Sequence, residues 1–467
     1  MTLGRPTRRA ALAGGLALAS RAAAQPVAPF GDAQIRATIV HRIETQKRGT
    51  GIVVGQRSPS GRSSIAYGAA RLGGPAVDTR SIFPIASLTK IFTALLLSDA
   101  AVRGRLSVDD PVARHLPARV VVPSFQGRQI TLADLASHGS GLPRRPPNLA
   151  GTDPDDPYAG YRTADLYAGV SAFTLTRPPG SEFEYSNFAY GLLGQALEHR
   201  LGRSFGELVR ARITAPLGMA DTGLAPPAPG DPRRVQGYSL ELQPTPPWDV
   251  DALPEAGSLF STVGDLLTFL GLWTAPPAGG LAKAARAMLA LDRPGDQDGV
   301  RMALGWRRMP AAGGRTVIWS NGSAGGARAF MGVCLEDRRA VAGFNNAETG
   351  VGMDDIGLRV LGVDQTIDMS VPVARPEITL APERLAAFVG VYALAADDTV
   401  IIRREGRTLA AQVGKQALRI YPETQTRFFM KDVEVQIDFW LGPDGTPTGL
   451  VWTQDGVTTR YPRRPAL

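Results

Sequence analysis

Apolar residues recur at helical spacing in two segments of this 467-residue chain. Over residues 87–102 they follow one helical face, and Gly104 comes shortly afterwards. Over residues 187–201 the same spacing returns, and Gly202 follows at once. Because a helix of a globular protein turns an apolar stripe to the core and often ends at a glycine, we predict a helix over each segment.

Strand patterns surround these helices. Residues 316–321 predict a strand that leads into a glycine-rich loop, and residues 329–335 and 341–344 predict a hairpin that turns at Asp337-Arg338-Arg339. Strands cluster at the two ends of the segment from residue 35 to 362, with helices between them. This order favours an α+β domain with an antiparallel sheet over repeated βαβ units.

The last part of the chain, from about Leu380 to Tyr461, predicts strands only. Residues 433–439 alternate apolar and polar side chains with period two, and Pro372, Pro376 and Pro382 interrupt the preceding stretch. Turn signals recur at Glu405-Gly406, Val413-Gly414, Asp444-Gly445 and Asp455-Gly456. We therefore predict a large α+β domain over residues 25–371 and, over residues 372–467, a linker with a small, barrel-like antiparallel β domain.

The first 24 residues carry the pattern of an export signal. Arg5, Arg8 and Arg9 precede a short apolar run over residues 10–19, and Ala22-Ala23-Ala24 fits a cleavage site. The adjacent arginines favour a twin-arginine signal, and an ordinary general-secretory signal is the alternative. No later stretch approaches the ~18 apolar residues of a membrane span, so we expect a periplasmic protein with no integral span after cleavage.

Charge and composition narrow the class of partner. The net charge is +8, but four arginines fall in the predicted signal, and residues 377–467 hold 11 basic and 11 acidic residues. No basic run is interleaved with aromatic residues, so we expect no nucleic-acid partner. The four histidines are scattered, and the only cysteine, Cys334, lies in an apolar run that predicts a buried strand. We therefore expect no metal and no cofactor, and oligomeric state stays open.

A serine and a lysine stand three residues apart at the start of the first predicted helix, as Ser87 and Lys90. That spacing puts both side chains on one face, where the lysine can activate the serine as a nucleophile. A neutral Lys90 could accept the serine proton, or a charged one could lower the pKa of a neighbouring base. A serine that merely caps a surface helix is the alternative.

Two further motifs favour the catalytic interpretation. Tyr185-Ser186-Asn187 stands at a loop-to-helix junction, where a tyrosine beside a cation becomes a usable base and an amide can orient substrate. An ordinary helix-capping loop is the other interpretation of this triplet. The third motif, Trp319-Ser320-Asn321-Gly322-Ser323, lies where the predicted strand meets glycines. We expect the backbone amides of Ser87 and Ser323 to form an oxyanion hole.

In these motifs the chain resembles the penicillin-binding-protein-like serine hydrolases that include class C β-lactamases, and most closely the AmpH-type D-alanyl-D-alanine carboxypeptidase/endopeptidases. The resemblance covers about residues 35–362, and the C-terminal segment more weakly resembles the barrel-like domain that some relatives carry. Family-like runs lie at Phe83–Lys90, Val108–Pro111, Ile130–Leu135, His138–Pro143 and Pro216–Met219.

The resemblance implies that Ser87 is the acylated nucleophile, Lys90 its activator, Tyr185 the proton acceptor and donor, and Asn187 a substrate-amide ligand. It implies substrate contacts for Ser320, Asn321, Gly322 and Ser323 as well. The family usually has lysine or histidine where this chain has Ser320, and that cation helps to bind a substrate carboxylate. Arg328 is a candidate replacement, and a solvent-facing hairpin residue is the alternative interpretation of it.

Two other serine motifs are weaker candidates for the nucleophile. Gly202-Arg203-Ser204-Phe205-Gly206 matches G-x-S-x-G, but it follows a predicted helix end rather than a strand. His138 precedes Gly139-Ser140, which could suggest a serine–histidine pair, but a structural loop near the cleft is favoured.

Three functions follow from these motifs. The first is an exported serine hydrolase that acts through an acyl-enzyme on peptidoglycan-type peptides, with acylation or hydrolysis of β-lactams as a related outcome. The second is an esterase or amidase on small uncharged acyl substrates. The third is a non-catalytic ligand-binding protein, against which the complete acid–base set argues.

Overall fold

The computed structural model describes residues 30–464, with the exception of positions 150–157, 248–252, 351, 372–374, 396–397, 406–407, 414–415, 432–433 and 455–456. The predicted export signal, residues 1–24, lies outside the described residues. The described chain divides into two compact units, one that ends at Met369 and one that begins at Ser370.

An antiparallel sheet of eight strands forms the centre of the first unit, in the order Gly61–Gly68, Gly51–Ser58, Arg339–Asn345, Ala327–Cys334, Arg315–Ala324, Arg307–Ala311, Arg301–Met302 and Arg293–Pro294. The first strand therefore pairs both with the second and with the last strand of the unit, so the two ends of the unit meet in one sheet. The strands of this unit are β1 (Gly51–Ser58), β2 (Gly61–Gly68), β3 (Phe83–Pro84), β4 (Ser124–Phe125), β5 (Arg128–Gln129), β6 (Gly237–Tyr238), β7 (Pro244–Thr245), β8 (Phe260–Ser261), β9 (Arg293–Pro294), β10 (Arg301–Met302), β11 (Arg307–Ala311), β12 (Arg315–Ala324), β13 (Ala327–Cys334) and β14 (Arg339–Asn345).

The two faces of this sheet contact different hydrophobic cores. Ile318 of β12 belongs to the larger core, which holds most of the helices, whereas its neighbours Val317 and Trp319 belong to a smaller core on the other face. The helices are α1 (Asp32–Glu44), α2 (Thr89–Val102), α3 (Leu132–Ala136), α4 (Thr163–Ala172), α5 (Asn187–Leu201), α6 (Phe205–Val209), α7 (Ala215–Leu217), α8 (Pro254–Gly257), α9 (Val263–Thr274), α10 (Gly280–Ala287) and α11 (Asp354–Val360).

Both predicted helices are present. A 3₁₀ turn over Ala86–Leu88 leads into α2, and Ser186 Oγ caps α5 by accepting a hydrogen bond from Ala189 N at 2.9 Å. Gly202 ends α5 with a φ of 69°. The prediction of one buried face was wrong for α2, because every residue from Thr89 to Ala100 is buried. This helix runs through the core, where an all-round apolar surface is needed.

The C-terminal unit is an eight-stranded antiparallel sheet in which strand order follows chain order. A bridge between Tyr392 and Arg463 joins its first and last strands, so the sheet is a nearly closed barrel. Its elements are α12 (Pro382–Phe388), β15 (Gly390–Ala395), β16 (Asp398–Glu405), β17 (Thr408–Val413), β18 (Gln416–Pro422), β19 (Arg427–Phe429), β20 (Val435–Leu441), β21 (Pro447–Gln454) and β22 (Val457–Pro462).

The fold class predicted from the sequence is confirmed, with one local correction. Residues 382–388 form helix α12 rather than part of a linker or a strand, since Pro382 occupies the first helical turn, where its missing N–H is not needed. Phe388 of this helix packs against Phe428 and Phe439 in the barrel core.

Cys334 is buried at the end of β13, as predicted. Within the described ranges, no helix has the length and apolarity that a membrane crossing needs.

Candidate active site

Ser87 and Lys90 meet at the start of α2. Ser87 lies in the 3₁₀ turn that precedes the helix, and Lys90 Nζ donates hydrogen bonds to Ser87 Oγ at 3.1 Å and to the carbonyl oxygen of Ala256 at 2.6 Å. The residue before the serine, Ala86, adopts a positive φ of 48°. A non-glycine residue adopts this conformation only where the surroundings hold it there. The chain therefore presents Ser87 on a strained turn, beside a buried lysine.

Tyr185 contacts the same serine from a distant part of the chain. Its Oη donates a hydrogen bond to Ser87 Oγ at 2.7 Å, and Lys90 Nζ lies 4.9 Å from the centre of the Tyr185 ring. Ser87 Oγ is thus in hydrogen-bond contact with both an amine and a phenol. The spacing of Ser87 and Lys90 in the sequence predicted the first contact, whereas the second depends on the tertiary fold.

The charges around Tyr185 alter the protonation of both groups. Burial lowers the pKa of Lys90; Tyr185 opposes this effect, and the positive charges of Arg144 and Arg307 reinforce it. Burial alone would raise the pKa of Tyr185, but the charges of Lys90 and Arg144 and the hydrogen bond to Ser87 bring that pKa below its ordinary value. Both groups are therefore closer to exchanging a proton near neutral pH than they would be in water.

His138 positions the tyrosine rather than acting as a base. It is buried with a positive φ of 60°, and its Nδ1 accepts a hydrogen bond from Ser186 N at 3.1 Å. Its ring centre lies 4.4 Å from that of Tyr185. Burial, reinforced by the charge of Lys90, puts the pKa of His138 well below its ordinary value. A neutral His138 thus fixes the backbone beside Tyr185, and it forms no pair with the serine of the same loop.

Asn187 begins α5 and turns its amide towards Tyr158. Its Nδ2 donates a hydrogen bond to Tyr158 Oη at 2.7 Å. Its Oδ1 is buried and has no hydrogen-bond partner among the described residues. A buried acceptor without a partner is costly, so this atom is suited to a donor that a ligand brings.

The third motif reaches the site through Gly322. A Cβ at this position would lie 2.7 Å from the Ile85 carbonyl oxygen and 2.9 Å from Ser87 N. Strand β12 therefore packs directly against the turn that holds the serine, which only glycine allows. Residues 320–323 belong to this strand, and the chain turns at Gly325 and Gly326, so the predicted glycine-rich loop begins later than expected.

Alternation along β12 gives its side chains different roles. Ser320 and Gly322 share the face that meets Ser87, and Ser320 is buried. Asn321 points to the opposite face, where its Nδ2 donates a hydrogen bond to Asp354 Oδ2 at 2.5 Å. Substrate contact by the side chain of Asn321, which the resemblance implied, does not agree with this placement.

Ser323 and Arg328 also point away from the serine. Arg328 of β13 is paired directly with Ser323 of β12, and cross-strand partners share a face of the sheet. The side-chain carbons of Arg328 pack near Gly352, beyond that same face. Arg328 therefore does not supply the cation that is missing beside Ser87, while the backbone amide of Ser323 remains on the strand that contacts the serine turn.

Sequence reasoning missed Arg144, which lies beside Tyr185. Its guanidinium carbon lies 5.0 Å from the centre of the Tyr185 ring, and its carbonyl oxygen accepts a hydrogen bond from Asn187 N at 3.0 Å. The only signal in the sequence is its place directly after the run His138–Pro143.

The competing Ser204 caps α6 after a helix end, so it does not occupy a strand-to-helix elbow. In the described part of the chain, no group of three or more His, Cys, Asp and Glu side chains could hold a metal ion.

Comparisons with known proteins show what the chain is similar to. Residues 35–365 match the family model described as Beta-lactamase, and residues 374–461 match a domain of unknown function, DUF3471. The D-alanyl-D-alanine-carboxypeptidase/endopeptidase AmpH of Escherichia coli (strain K12) is 31% identical over 283 residues, which are 57% of this chain and 71% of AmpH. Penicillin-binding protein 4* of Bacillus subtilis (strain 168) is 24% identical over 408 residues, 81% of this chain and 87% of that protein.

A solved structure supports the fold. The β-lactamase/D-alanine carboxypeptidase from Yersinia pestis superposes with a TM-score of 0.60 at 23% identity, over 71% of this chain and 99% of that one. The family model covers more than two thirds of the chain, and the AmpH match covers 71% of that protein at 31% identity. The chain therefore belongs to the beta-lactamase family and is a serine hydrolase.

Proposed function

We propose that this enzyme hydrolyses acyl substrates through a covalent acyl-enzyme on Ser87. The observation that carries the proposal is that Lys90 Nζ and Tyr185 Oη both lie within hydrogen-bond distance of Ser87 Oγ. A serine hydroxyl is a weak nucleophile until a neighbouring base takes its proton. Here two candidate bases converge on one oxygen, and the lowered pKa of each leaves more of it in the unprotonated form that can accept the proton.

Acylation begins when the proton of Ser87 Oγ moves to the phenolate form of Tyr185, which the charge of Lys90 stabilises. Oγ then attacks the substrate carbonyl carbon, and the carbonyl electron pair becomes an oxyanion. The backbone amides of Ser87 and Ser323 donate to this oxyanion. As the tetrahedral intermediate collapses, Tyr185 gives its proton to the leaving group, and the acyl group stays on Oγ. Water then gives a proton to Tyr185 and attacks the ester carbonyl carbon. As this second intermediate collapses, the bond from that carbon to Ser87 Oγ breaks, Oγ takes the proton back from Tyr185, and the acid product leaves.

A neutral Lys90 is the second possible base, since its amine is 3.1 Å from Ser87 Oγ. Asn187 Oδ1, which lacks a partner among the described residues, accepts an N–H group of the substrate in this proposal. That contact suits a peptide or a β-lactam side-chain amide, and a simple ester cannot make it.

For the substrate class we propose peptidoglycan-type D-Ala-D-Ala peptides, with β-lactams as related acyl donors. The support is the likeness to AmpH, whose name states a D-alanyl-D-alanine carboxypeptidase and endopeptidase. Ser320 favours a second candidate, an esterase or amidase on small uncharged substrates, because a buried hydroxyl stands where relatives carry a cation. Neither reaction needs a cofactor.

Intact-mass spectrometry tests this proposal. The mature protein is exposed to a fluorescent penicillin and, separately, to an activated uncharged ester, alongside the variants Ser87→Ala and Ser204→Ala. We expect an acyl adduct on wild type and on Ser204→Ala, and none on Ser87→Ala. An adduct that persists in Ser87→Ala would refute the nucleophile. A burst with the ester alone would favour the esterase, and ligand binding with no adduct in wild type would favour a binding protein.

We also propose that residues 1–24 export the enzyme to the periplasm by the twin-arginine route. The support is the Arg8-Arg9 pair and the short apolar run that follows it. Replacement of both arginines by lysine keeps the charge, so a general-secretory signal would tolerate it. We expect the double variant to accumulate in the cytoplasm with its signal uncleaved, and normal export of that variant would contradict the route.

A further inference from the structure

Tyr185 has a second cation beside it, and that cation belongs to none of the three motifs. The guanidinium carbon of Arg144 lies 5.0 Å from the centre of the tyrosine ring, and Lys90 Nζ lies 4.9 Å from it. Lys90 is buried, whereas Arg144 is exposed. Arg144 therefore stands one aromatic ring away from the hydroxyl that contacts Ser87, in a position that a solute can reach.

The other arginines near the third motif are either paired with an acid or placed on the far face of the sheet. Arg307 Nε donates to Asp296 at 2.8 Å, and its guanidinium carbon lies 4.9 Å from the centre of the Trp319 ring. Arg328 is on the face of the sheet opposite Ser87. Ser320, which is on the near face, carries no charge.

Arg144, in contrast, makes no ion pair with any described residue. Its backbone is held in place, because its carbonyl oxygen accepts the hydrogen bond from Asn187 N. Asn187 is the first residue of α5, and Tyr185 precedes it by two residues in the sequence. The hydrogen bond to Asn187 therefore also fixes the backbone of Arg144 relative to Tyr185. A fixed backbone with an exposed, unpaired guanidinium is a favourable anchor for an anion.

We propose that Arg144 forms an anion-binding subsite at the rim of the Ser87 cleft and that it binds a carboxylate of the acyl substrate. This inference rests on the proposed acyl-enzyme function. A guanidinium carries five donors in a planar fork that matches a carboxylate, and such charge-assisted pairs are stronger than neutral hydrogen bonds. Relatives usually have a lysine or histidine at the position of Ser320. In this chain Arg144, which directly follows the run His138–Pro143, supplies the positive charge instead.

The test compares two phenyl esters that differ only in the leaving group, which carries a carboxylate in one and a primary carboxamide in the other. Both are measured with wild type, Arg144→Gln, Arg144→Lys and the control Arg119→Gln. Arg119 is also exposed, and its guanidinium carbon lies 6.0 Å from the centre of the Tyr167 ring, so it is a matched arginine on another tyrosine.

We expect Arg144→Gln to lower kcat/KM for the carboxylate ester about 10- to 100-fold more than for the carboxamide ester. Arg144→Lys should recover much of the difference, and Arg119→Gln should change neither ester. The wild-type preference for the carboxylate ester should also weaken between low and high salt, since an exposed charge pair is screened. In Arg144→Gln that salt dependence should be absent.

Equal losses on both esters would overturn the subsite, because they would mean that Arg144 acts only through Tyr185. No loss on either ester would overturn it too. Mass spectrometry of the same samples separates these failures from a failure of the proposed function. If the carboxamide ester acylates Ser87 while Arg144→Gln shows no selective loss of kcat/KM for the carboxylate ester, the acyl-enzyme is supported and the anion subsite is refuted.

Discussion

Gly322 lies so close to Ser87 that a Cβ on the glycine would stand 2.9 Å from the serine backbone nitrogen. This contact couples strand β12 to the turn that presents the nucleophile. It also places the backbone of the third motif beside the proposed oxyanion hole. The distance between the two backbones therefore controls whether the amides of Ser87 and Ser323 can bind one oxygen.

Gly322→Ala should impair acylation without unfolding the protein. The added methyl group would meet the Ile85 carbonyl oxygen and Ser87 N, both of which are backbone atoms that cannot rotate away. We expect β12 to move and the acylation rate to fall by about 100-fold, the scale of a 1 Å misplacement in an active site. Stopped-flow acylation with an activated ester measures this loss.

The control for that variant is Gly223→Ala, because a Cβ at Gly223 has nothing within 4 Å. It should acylate at the wild-type rate. If Gly322→Ala also acylates normally, the close packing of β12 on the serine turn does not contribute to the reaction.

Tyr185→Phe tests which of the two groups takes the serine proton. The variant keeps the ring that packs on His138 but loses the hydroxyl that contacts Ser87. If Tyr185 is the base, acylation should fall by about 10²- to 10⁴-fold, the usual contribution of general base catalysis. Tyr167→Phe is the control, since its hydroxyl binds Gln195 away from the serine. An acylation rate near that of wild type in Tyr185→Phe would assign the proton to Lys90.

The sequence predicted the parts of this site that depend on short spacing. Ser87 and Lys90 are three residues apart, and the extent of α5 followed from its apolar spacing and from Gly202, which ends it. The C-terminal barrel also followed from alternation, as residues 435–439 of β20 show. Residue spacing was sufficient for the first of these predictions, and hydrophobic patterns with turn residues were sufficient for the other two.

The sequence did not predict which face of β12 each side chain occupies. The resemblance implied a substrate contact for Asn321 as well as for Ser320, but adjacent residues of a strand point to opposite faces. Arg144 was missed because its importance comes from a through-space contact with Tyr185, and no spacing rule relates the two. Burial all around α2 was also missed, because the helices that cover its outer face are distant in sequence.

His138 should remain neutral through the pH range of activity. Its Nδ1 accepts the hydrogen bond from Ser186 N, which a protonated ring cannot do, and burial lowers its pKa well below the ordinary value. The folded state therefore binds this proton less tightly than the unfolded state, so its contribution to stability is lost as the pH falls below about 6.5. NMR of ¹⁵N-labelled histidine should show no titration of His138 between pH 6 and 8. A titration centred near 6.5 would contradict the buried acceptor role.

The contribution of Asp354 to stability should depend on pH in the opposite direction to that of His138. Burial raises its pKa to about 6 from an ordinary 3.8, although the hydrogen bond from Asn321 and the charges of Arg307 and Arg328 oppose that rise. Between these two pH values the folded protein holds a proton that the unfolded chain has released. The contribution of Asp354 to stability is therefore present below pH 3.8 and is lost as the pH rises through 6.

Asp354→Asn isolates this effect, because an amide cannot ionise and its oxygen can still accept from Asn321. Relative to wild type, the variant should gain stability as the pH rises from 4 to 7, by no more than about 3 kcal/mol for a shift of this size. Urea unfolding of both proteins at each pH gives the difference, in which the titration of His138 and of all other groups cancels. A difference that stays constant from pH 4 to 7 would mean that Asp354 is ionised throughout and that the face of β12 opposite Ser87 carries a charged rather than a neutral hydrogen bond.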